Sequence, residues 1–330
     1  MPLLEVRDLA VYYPVKTPLF GKKRYLKAVD GVSFSIGHGE TVGLVGESGC
    51  GKSTLGRAIV KLEKPHRGSI ILDGEDMAFL KGEKLRRMRR KFQMIFQDPY
   101  GSLNPRMTVF AALDEVISLH NRLALDERRA KALELLELVG LPPEALDRYP
   151  HQFSGGQRQR IGIARALALE PDLVVADEPV SALDVSVQAS IVNLLGDIQK
   201  SRGTSFLFIA HDLAVVEHIS DRILVMYLGH IVEEAPAHEL VAHPCHPYTQ
   251  MLIAAIPSIA VRRREESQEN TAVPGAEAVS QIDVPKGCPF QTRCPKALER
   301  CKNETPELRS LGGGRRCACF RAEEFISEAK

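Results

Sequence analysis

The chain carries almost no excess of charge. Its 43 Lys and Arg stand against 42 Asp and Glu, a formal net charge of +1 over 330 residues. That balance gives no general electrostatic case for nucleic acid or a strongly anionic surface as a partner. Long apolar runs are also missing: no segment approaches the roughly 20 uninterrupted apolar residues that cross a bilayer, so any membrane role must come through a partner. No signal peptide is expected, because Met1-Pro-Leu-Leu-Glu-Val-Arg7 runs straight into a strand expected over Leu4 to Val11. Together these absences describe a soluble, intracellular protein, long enough to bury a full core and to hold more than one domain.

What the chain does have begins at Gly46. Gly46-Glu-Ser-Gly-Cys-Gly-Lys-Ser53 matches G-x-x-x-x-G-K-[ST], between an apolar strand at Thr41 to Val45 and a helix over Lys52 to Val60. The glycines, Gly46, Gly49 and Gly51, let backbone N–H groups from Ser48 and Cys50 to Thr54 turn onto phosphates, and the helix N-terminus adds its positive dipole end. Lys52 then places a point charge on the β- and γ-phosphates, and Ser53 ligates magnesium. A second apolar strand, Asp172 to Ala176, ends in Asp177 and Glu178. At the carboxyl edge of a parallel sheet this pair stands beside the phosphate site, Asp177 suited to the metal and Glu178 to orienting or deprotonating an attacking water. Strands alternating with helices imply an α/β protein with a mainly parallel sheet.

A third element, Phe153-Ser-Gly-Gly-Gln157, precedes the apolar-periodic stretch Ile161 to Leu169, so Ser154 reads as a helix N-cap. The pair Gly155 and Gly156, with Gln157, exposes N–H donors to a second anion. A chain with one phosphate loop has no second phosphate of its own, so this donor set is expected to serve a partner's nucleotide.

With these residues in this order, the chain resembles the nucleotide-binding subunit of an ATP-binding cassette (ABC) transporter over nearly all of residues 1–255. The resemblance implies the P-loop NTPase cassette fold: a mainly parallel sheet core with an antiparallel β part and a helical subdomain at about 98–165. It implies ATP and Mg²⁺ as ligands, with Ser53, Gln97 and Asp177 around the metal and Gln97 linking it to membrane subunits. Ser181-Ala-Leu-Asp184 would cross a dimer interface, and His211, after the strand Ser205 to Ala210, would touch the γ-phosphate. An aromatic side chain would stack on adenine. Tyr13 is preferred, with Tyr25 also in play because Pro14 to Lys27 reads as an insertion. ABC ATPases that act on ribosomes or DNA usually carry two cassettes, a long coiled coil or zinc insertions, none of which is found here.

The basic run Lys81 to Lys91 reads as a solvated helix face. Asp126 is expected to cap a helix over Glu127 to Val139, with Ala130, Leu133, Leu136 and Leu138 as its apolar stripe before Gly140. Asp98-Pro-Tyr-Gly-Ser-Leu-Asn-Pro105 reads as a turn-rich loop suited to contacting a membrane subunit. Val187, Ile191, Leu194, Leu195 and Ile198 recur at helical spacing and should pack on the sheet, with Gly203 ending that helix.

Past residue 240, His243-Pro-Cys-His-Pro-Tyr-Thr-Gln-Met-Leu252 resembles the C-terminal motif of ATPases in the peptide and nickel importer group. A polar linker is expected over 256–281 and a small cysteine-rich module over 282–330. Five of the seven cysteines lie there: Cys288, Cys294, Cys301, Cys317 and Cys319. A disulfide framework does not suit a reducing compartment, and the spacing lacks the close C-x₂₋₄-C pair of most zinc sites. Four spread thiolates suit a cubane 4Fe-4S cluster, which some members of the group also imply; reduced structural thiols and zinc remain alternatives. By the group's pattern Cys288, Cys294, Cys301 and Cys319 are the ligands, Cys319 preferred to Cys317 because it precedes the aromatic Phe320.

Gly46 to Arg57, Gln97 to Pro105 and Phe153 to Gln157 look like the F-type ATPase of this group. The resemblance implies a D-type ATPase as heterodimer partner, two membrane permease subunits and an extracytoplasmic substrate-binding protein, with no nucleic acid. The chain would sit peripherally on the cytoplasmic face of the inner membrane, powering uptake of di- and oligopeptides, nickel chelates or another small solute.

Overall fold

The computed structural model describes residues 1–15, 24–98, 101–120, 123–256, 282 and 284–328. Its strands are β1 (Leu4–Val15), β2 (Arg24–Ile36), β3 (Thr41–Val45), β4 (Arg67–Leu72), β5 (Glu75–Asp76), β6 (Phe92–Ile95), β7 (Leu173–Asp177), β8 (Ser205–Ile209), β9 (Arg222–Tyr227), β10 (His230–Pro236), β11 (Arg309–Gly312) and β12 (Arg315–Cys317). They form two sheets, one in the order β2-β1-β4-β5 and one in the order β11-β12-β10-β9-β3-β8-β7-β6. The first is antiparallel throughout. In the second, β9, β3, β8, β7 and β6 run parallel to one another. The central strands β3, β7 and β8 are buried at every position, the continuous apolar pattern of strands covered on both faces rather than the alternation of a half-wet sheet.

The helices are α1 (Lys52–Ile59), α2 (Gly82–Met88), α3 (Val109–His120), α4 (Leu125–Leu138), α5 (Gly155–Leu167), α6 (Val185–Arg202), α7 (Leu213–Ile219), α8 (Ala237–Ala242), α9 (Pro247–Ala254) and α10 (Ala322–Glu328). Helix α6 buries Ile191, Val192, Leu195 and Ile198 and ends at Gly203, whose φ of 67° is the left-handed C-terminal conformation that glycine adopts without a Cβ penalty. The basic run around α2 is exposed, with Met88 as its buried anchor.

Helix α4 departs from the expected phase. Of Ala130, Leu133, Leu136 and Leu138 only Leu136 is buried; Leu133 keeps 36% of its surface, and the core face is Ala132, Leu135 and Leu136, continued by Val139. Two apolar stripes compete on a leucine-rich helix, and packing against α3 and α5 chooses between them. Its start differs too. The N-cap is Ala124, not Asp126, and Glu127 Oε2 accepts from the Ala124 N–H at 2.7 Å, half of a capping box without the hydroxyl.

Strands β1 and β2 continue as a hairpin, Pro14 opposite Tyr25 and Val15 opposite Arg24, so both described ends of the Pro14 to Lys27 segment extend the sheet. Residues 16–23 of that segment, 99–100 of the turn-rich loop and all of the 256–281 linker except Ile256 lie outside the described residues. The cysteine-rich stretch joins the main sheet directly. Strand β12 pairs with β10, Glu233 opposite Cys317 and Glu234 opposite Arg316. Phe290 is buried against Tyr227 and Tyr248, with ring centroids 5.2 and 5.4 Å away.

Candidate functional site

The parallel strands end on one edge, and the loops that follow them converge there. Tyr13, Ser48, Gly49, Gly51, Lys52, Ser53, Thr54, Gln97, Glu178 and His211 line one open cavity of about 940 Å³, together with Leu26, Ala28, Asp98, Ser181 and Ala182. Most follow a parallel strand: the phosphate loop and the start of α1 follow β3, Gln97 follows β6, Glu178 follows β7 and His211 follows β8. This is the carboxyl edge where open parallel sheets hold ligands.

The phosphate loop enters α1 through Gly51, whose φ is 111°. A Cβ there would stand 2.0 Å from the Ala28 carbonyl oxygen, so both conformation and space demand glycine. Gly49, at φ 78°, faces open space, leaving the backbone free for close approach by a ligand. Lys52 is buried, and its Nζ donates to the carbonyls of Gly46 at 2.8 Å and Glu47 at 3.0 Å. Ser53 Oγ donates to Asp177 Oδ1 at 2.7 Å. Gly46, Cys50 and Asp177 do not line the cavity; burial pushes the Asp177 carboxyl above its ordinary range against the pull of Ser53, Arg57 and Lys52. A buried carboxylate beside a hydroxyl is a donor pair for a hard cation, whose charge would reverse that shift.

Glu178 is held in a left-handed conformation, φ 45°, rare for a residue with a Cβ and concentrated at functional sites. Its N–H donates to the Ile209 carbonyl at 2.9 Å, tying β7 to β8 at this turn. Gln97 Nε2 donates to Glu178 Oε2 at 3.0 Å, and His211 Nδ1 lies 3.6 Å from the same oxygen. One carboxylate oxygen therefore sits between an amide and an imidazole, at the mouth of the phosphate loop.

Tyr13 lines the cavity and Tyr25 does not. The ring of Tyr25 lies 6.5 Å from that of His66 and keeps 39% exposure. Leu26 and Ala28 of β2 were not signalled by any motif. Leu26 enters through strand register alone, opposite Tyr13.

The Ser154 to Gln157 segment stands apart from this cavity. Ser154 caps α5 reciprocally: Gln157 N–H donates to Ser154 Oγ at 3.3 Å, and Ser154 N–H to Gln157 Oε1 at 3.1 Å. A Cβ on Gly156 would come within 2.4 Å of Val187 Cγ1, so this glycine also permits α5 to approach α6. Asp184 is the N-cap residue of α6 and, unlike Ser181 and Ala182, does not line the cavity.

Cys288, Cys294, Cys301 and Cys319 line a second, small and enclosed cavity with His246, Pro247 and Phe320. Cys245 and Cys317 do not line it; they are buried with Ala322 in an apolar cluster against which Leu311 and Cys319 pack. Burial pushes the Cys288 and Cys319 thiols up to about 11, and neighbouring cysteines add to the rise. All seven cysteines are free. Among the described residues no three His, Cys, Asp or Glu side chains are placed to hold a single metal ion, and no helix is long and apolar enough to cross a membrane.

Residues 29–181 match the ABC transporter family, and residues 232–301 match the oligopeptide/dipeptide transporter C-terminal region. The chain is 50% identical over 319 residues to the oligopeptide transport ATP-binding protein AppF of Bacillus subtilis, covering 96% of each. It is 48% identical over 322 residues to the dipeptide transport ATP-binding protein DppF of Haemophilus influenzae, covering 98% of this chain and 97% of that protein. Among solved structures, a dimeric post-hydrolysis state of the ATP-binding cassette MJ0796 with ADP and Pi is 30% identical, with a TM-score of 0.64, over 71% of this chain and 98% of that one. The cbiO1 structure from Clostridium perfringens is 26% identical, with a TM-score of 0.63, over 73% of this chain and 91% of that chain.

Proposed function

From the premise that the chain belongs to the ABC transporter family of ATP-binding proteins, we propose that it is the ATP-hydrolysing subunit of a di- and oligopeptide importer. The observation that carries this is the convergence of Lys52, Ser53, Gln97, Glu178 and His211 on one cavity, in a chain whose oligopeptide and dipeptide transport relatives match it over 96% and 98% of its length. Residues 1–255 form the cassette and 282–330 the terminal module.

ATP lies in the cavity with Tyr13 against its adenine and the phosphate-loop N–H groups, with Lys52, around its phosphates. Ser53, Asp177 and Gln97 would hold magnesium, which supplies charge neutralisation at the phosphates. Glu178 orients or deprotonates the attacking water, and His211 stands beside it to meet the γ-phosphate. Ser154 to Gln157 and Asp184, which do not line this chain's own cavity, serve the nucleotide of a second cassette in a head-to-tail dimer. The MJ0796 cassette was solved in a dimeric, post-hydrolysis state bound to ADP and Pi. Here the second cassette would be a D-type ATPase. Two membrane permeases would dock on the helical subdomain, at its border with the sheet, where Phe92 and Met94 of β6, Phe96 just after it, and Val116 of α3 line a shallow groove. That places the chain peripherally on the cytoplasmic face of the inner membrane, with an extracytoplasmic binding protein supplying peptide.

Cys288, Cys294, Cys301 and Cys319 would hold a 4Fe-4S cluster, which supplies a rigid cross-link or a redox centre. Supporting this are the four thiols around one enclosed cavity.

The test is to trap the ATP-closed state with Glu178→Gln in native membranes, purify it in mild detergent without oxygen, and identify what comes with it by mass spectrometry. Two membrane subunits, a D-type ATPase and a binding protein carrying a short peptide are expected. Ribosomal proteins or nucleic acid in their place would sink the importer.

A further inference from the structure

We propose that Arg293 of the cysteine-rich module is a positioning residue for ATP. By gripping Glu47 it holds the phosphate loop in the form that receives the phosphates, so the folded state of the module sets nucleotide affinity. This rests on the ATP-binding reading above.

Glu47 is the second residue of the phosphate loop, and all its polar groups are tied. Its N–H donates to Tyr248 Oη at 2.8 Å, and its carbonyl accepts from Lys52 Nζ at 3.0 Å. Its carboxylate accepts two bonds from Arg293, Nη1 and Nη2 each at 2.8 Å. None of Glu47, Tyr248 and Arg293 lines the nucleotide cavity. The contact therefore acts through the loop's backbone. The orientation of the Glu47 peptide fixes the carbonyl on which the Lys52 ammonium rests, and with it the starting position of the charge that meets ATP.

An ordinary exposed ion pair would contribute little to anything. This one differs in three respects. It is bidentate, matching the planar guanidinium to the carboxylate. Its guanidinium stands near the rings of Phe290 and Tyr227, 5.8 and 5.9 Å from their centroids. And it joins parts of the chain 246 residues apart, the phosphate loop and the cysteine turn.

That turn carries two of the four cavity thiols. Gln291 N–H donates to the Cys288 carbonyl and Arg293 N–H to the Phe290 carbonyl, both at 3.1 Å, so Cys288 to Cys294 is one compact unit with Arg293 beside Cys294. Whatever orders the four thiols also orders Arg293. By linkage, ATP binding then tightens the module by the same factor that the module tightens ATP binding.

The test uses the full-length subunit, purified without oxygen, with a fluorescent ATP analogue as probe. Arg293→Ala should raise its Kd about tenfold while kcat at saturating ATP changes less than about twofold. Arg293→Lys should recover only part of the loss, since one ammonium cannot reproduce a fork. Glu47→Gln should weaken binding comparably, and the double variant should be no worse than either single one. Cys294→Ser should raise Kd in the wild-type background and not in Arg293→Ala. Unchanged affinity in Arg293→Ala, or equal effects of Cys294→Ser in both backgrounds, overturns the inference. A matched fall in kcat and thermal midpoint without a Kd change would make Arg293 merely structural, and overturns it too. A wild-type chain that fails to bind the probe, like Lys52→Ala, would instead strike the ATP-binding reading itself.

Discussion

A single carboxylate oxygen, Glu178 Oε2, stands between Gln97 at 3.0 Å and His211 at 3.6 Å, and the proposed hydrolysis turns on it. A group that orients or takes a proton from water contributes about 10²- to 10⁴-fold to rate. Glu178→Gln, which keeps shape and hydrogen bonding to Gln97, should therefore bind ATP and lose at least about a hundredfold in turnover. Steady-state hydrolysis beside equilibrium binding checks it, and equal turnover would remove Glu178 from the chemistry. Lys52→Ala should fail earlier, at binding, because the charge meeting the phosphates is gone. The two tyrosines separate in the same assay. Tyr13→Ala should weaken ATP binding, whereas Tyr25→Ala, outside the cavity and beside His66, should leave it unchanged. Most of these residues were legible without coordinates because phosphate chemistry constrains them locally: a glycine turn, a lysine and a hydroxyl must be close in sequence to be close in space. Leu26 and Ala28 were not legible, since Leu26 arrives by pairing with Tyr13 and Ala28 by the close approach of its carbonyl to Gly51.

At the scale of the element, α4 shows how a correct helix can be read with the wrong face. Leu133 and Leu135 are chemically the same, yet Leu135 keeps 2% of its surface and Leu133 36%. Leu135→Ala should cost about 2–5 kcal/mol through the cavity it leaves. Leu133→Ala should stay within about 0.5 kcal/mol. Denaturant titration of both variants decides between the observed phase and the expected one. The periodicity of a helix with leucine at 133, 135, 136 and 138 supports two stripes almost equally, and only the neighbours α3 and α5 separate them. Where one stripe dominates, as in α6, sequence and structure agree: Ile191, Leu195 and Ile198 face inward and Gly203 ends the helix.

At the scale of the molecule, the C-terminal module is the part whose role depends on distant contacts. Iron and sulfide should co-purify with the chain under anaerobic conditions and be lost in Cys288→Ser and Cys301→Ser. Cys245→Ala should retain them, because Cys245 lies outside the four-thiol cavity. Full occupancy in Cys301→Ser would refute the ligand set. The cassette fold class, the phosphate loop and the carboxylate pair at the end of β7 were determined by the sequence itself, because hydrophobic period, turn chemistry and short motifs act over a few neighbouring residues. Which face of α4 is buried, the entry of Leu26 into the cavity, and the grip of Arg293 on Glu47 were decided only in the tertiary structure. Each of these depends on groups far apart in the chain, whose meeting is set by sheet register and by the packing of whole elements, and no local pattern records it.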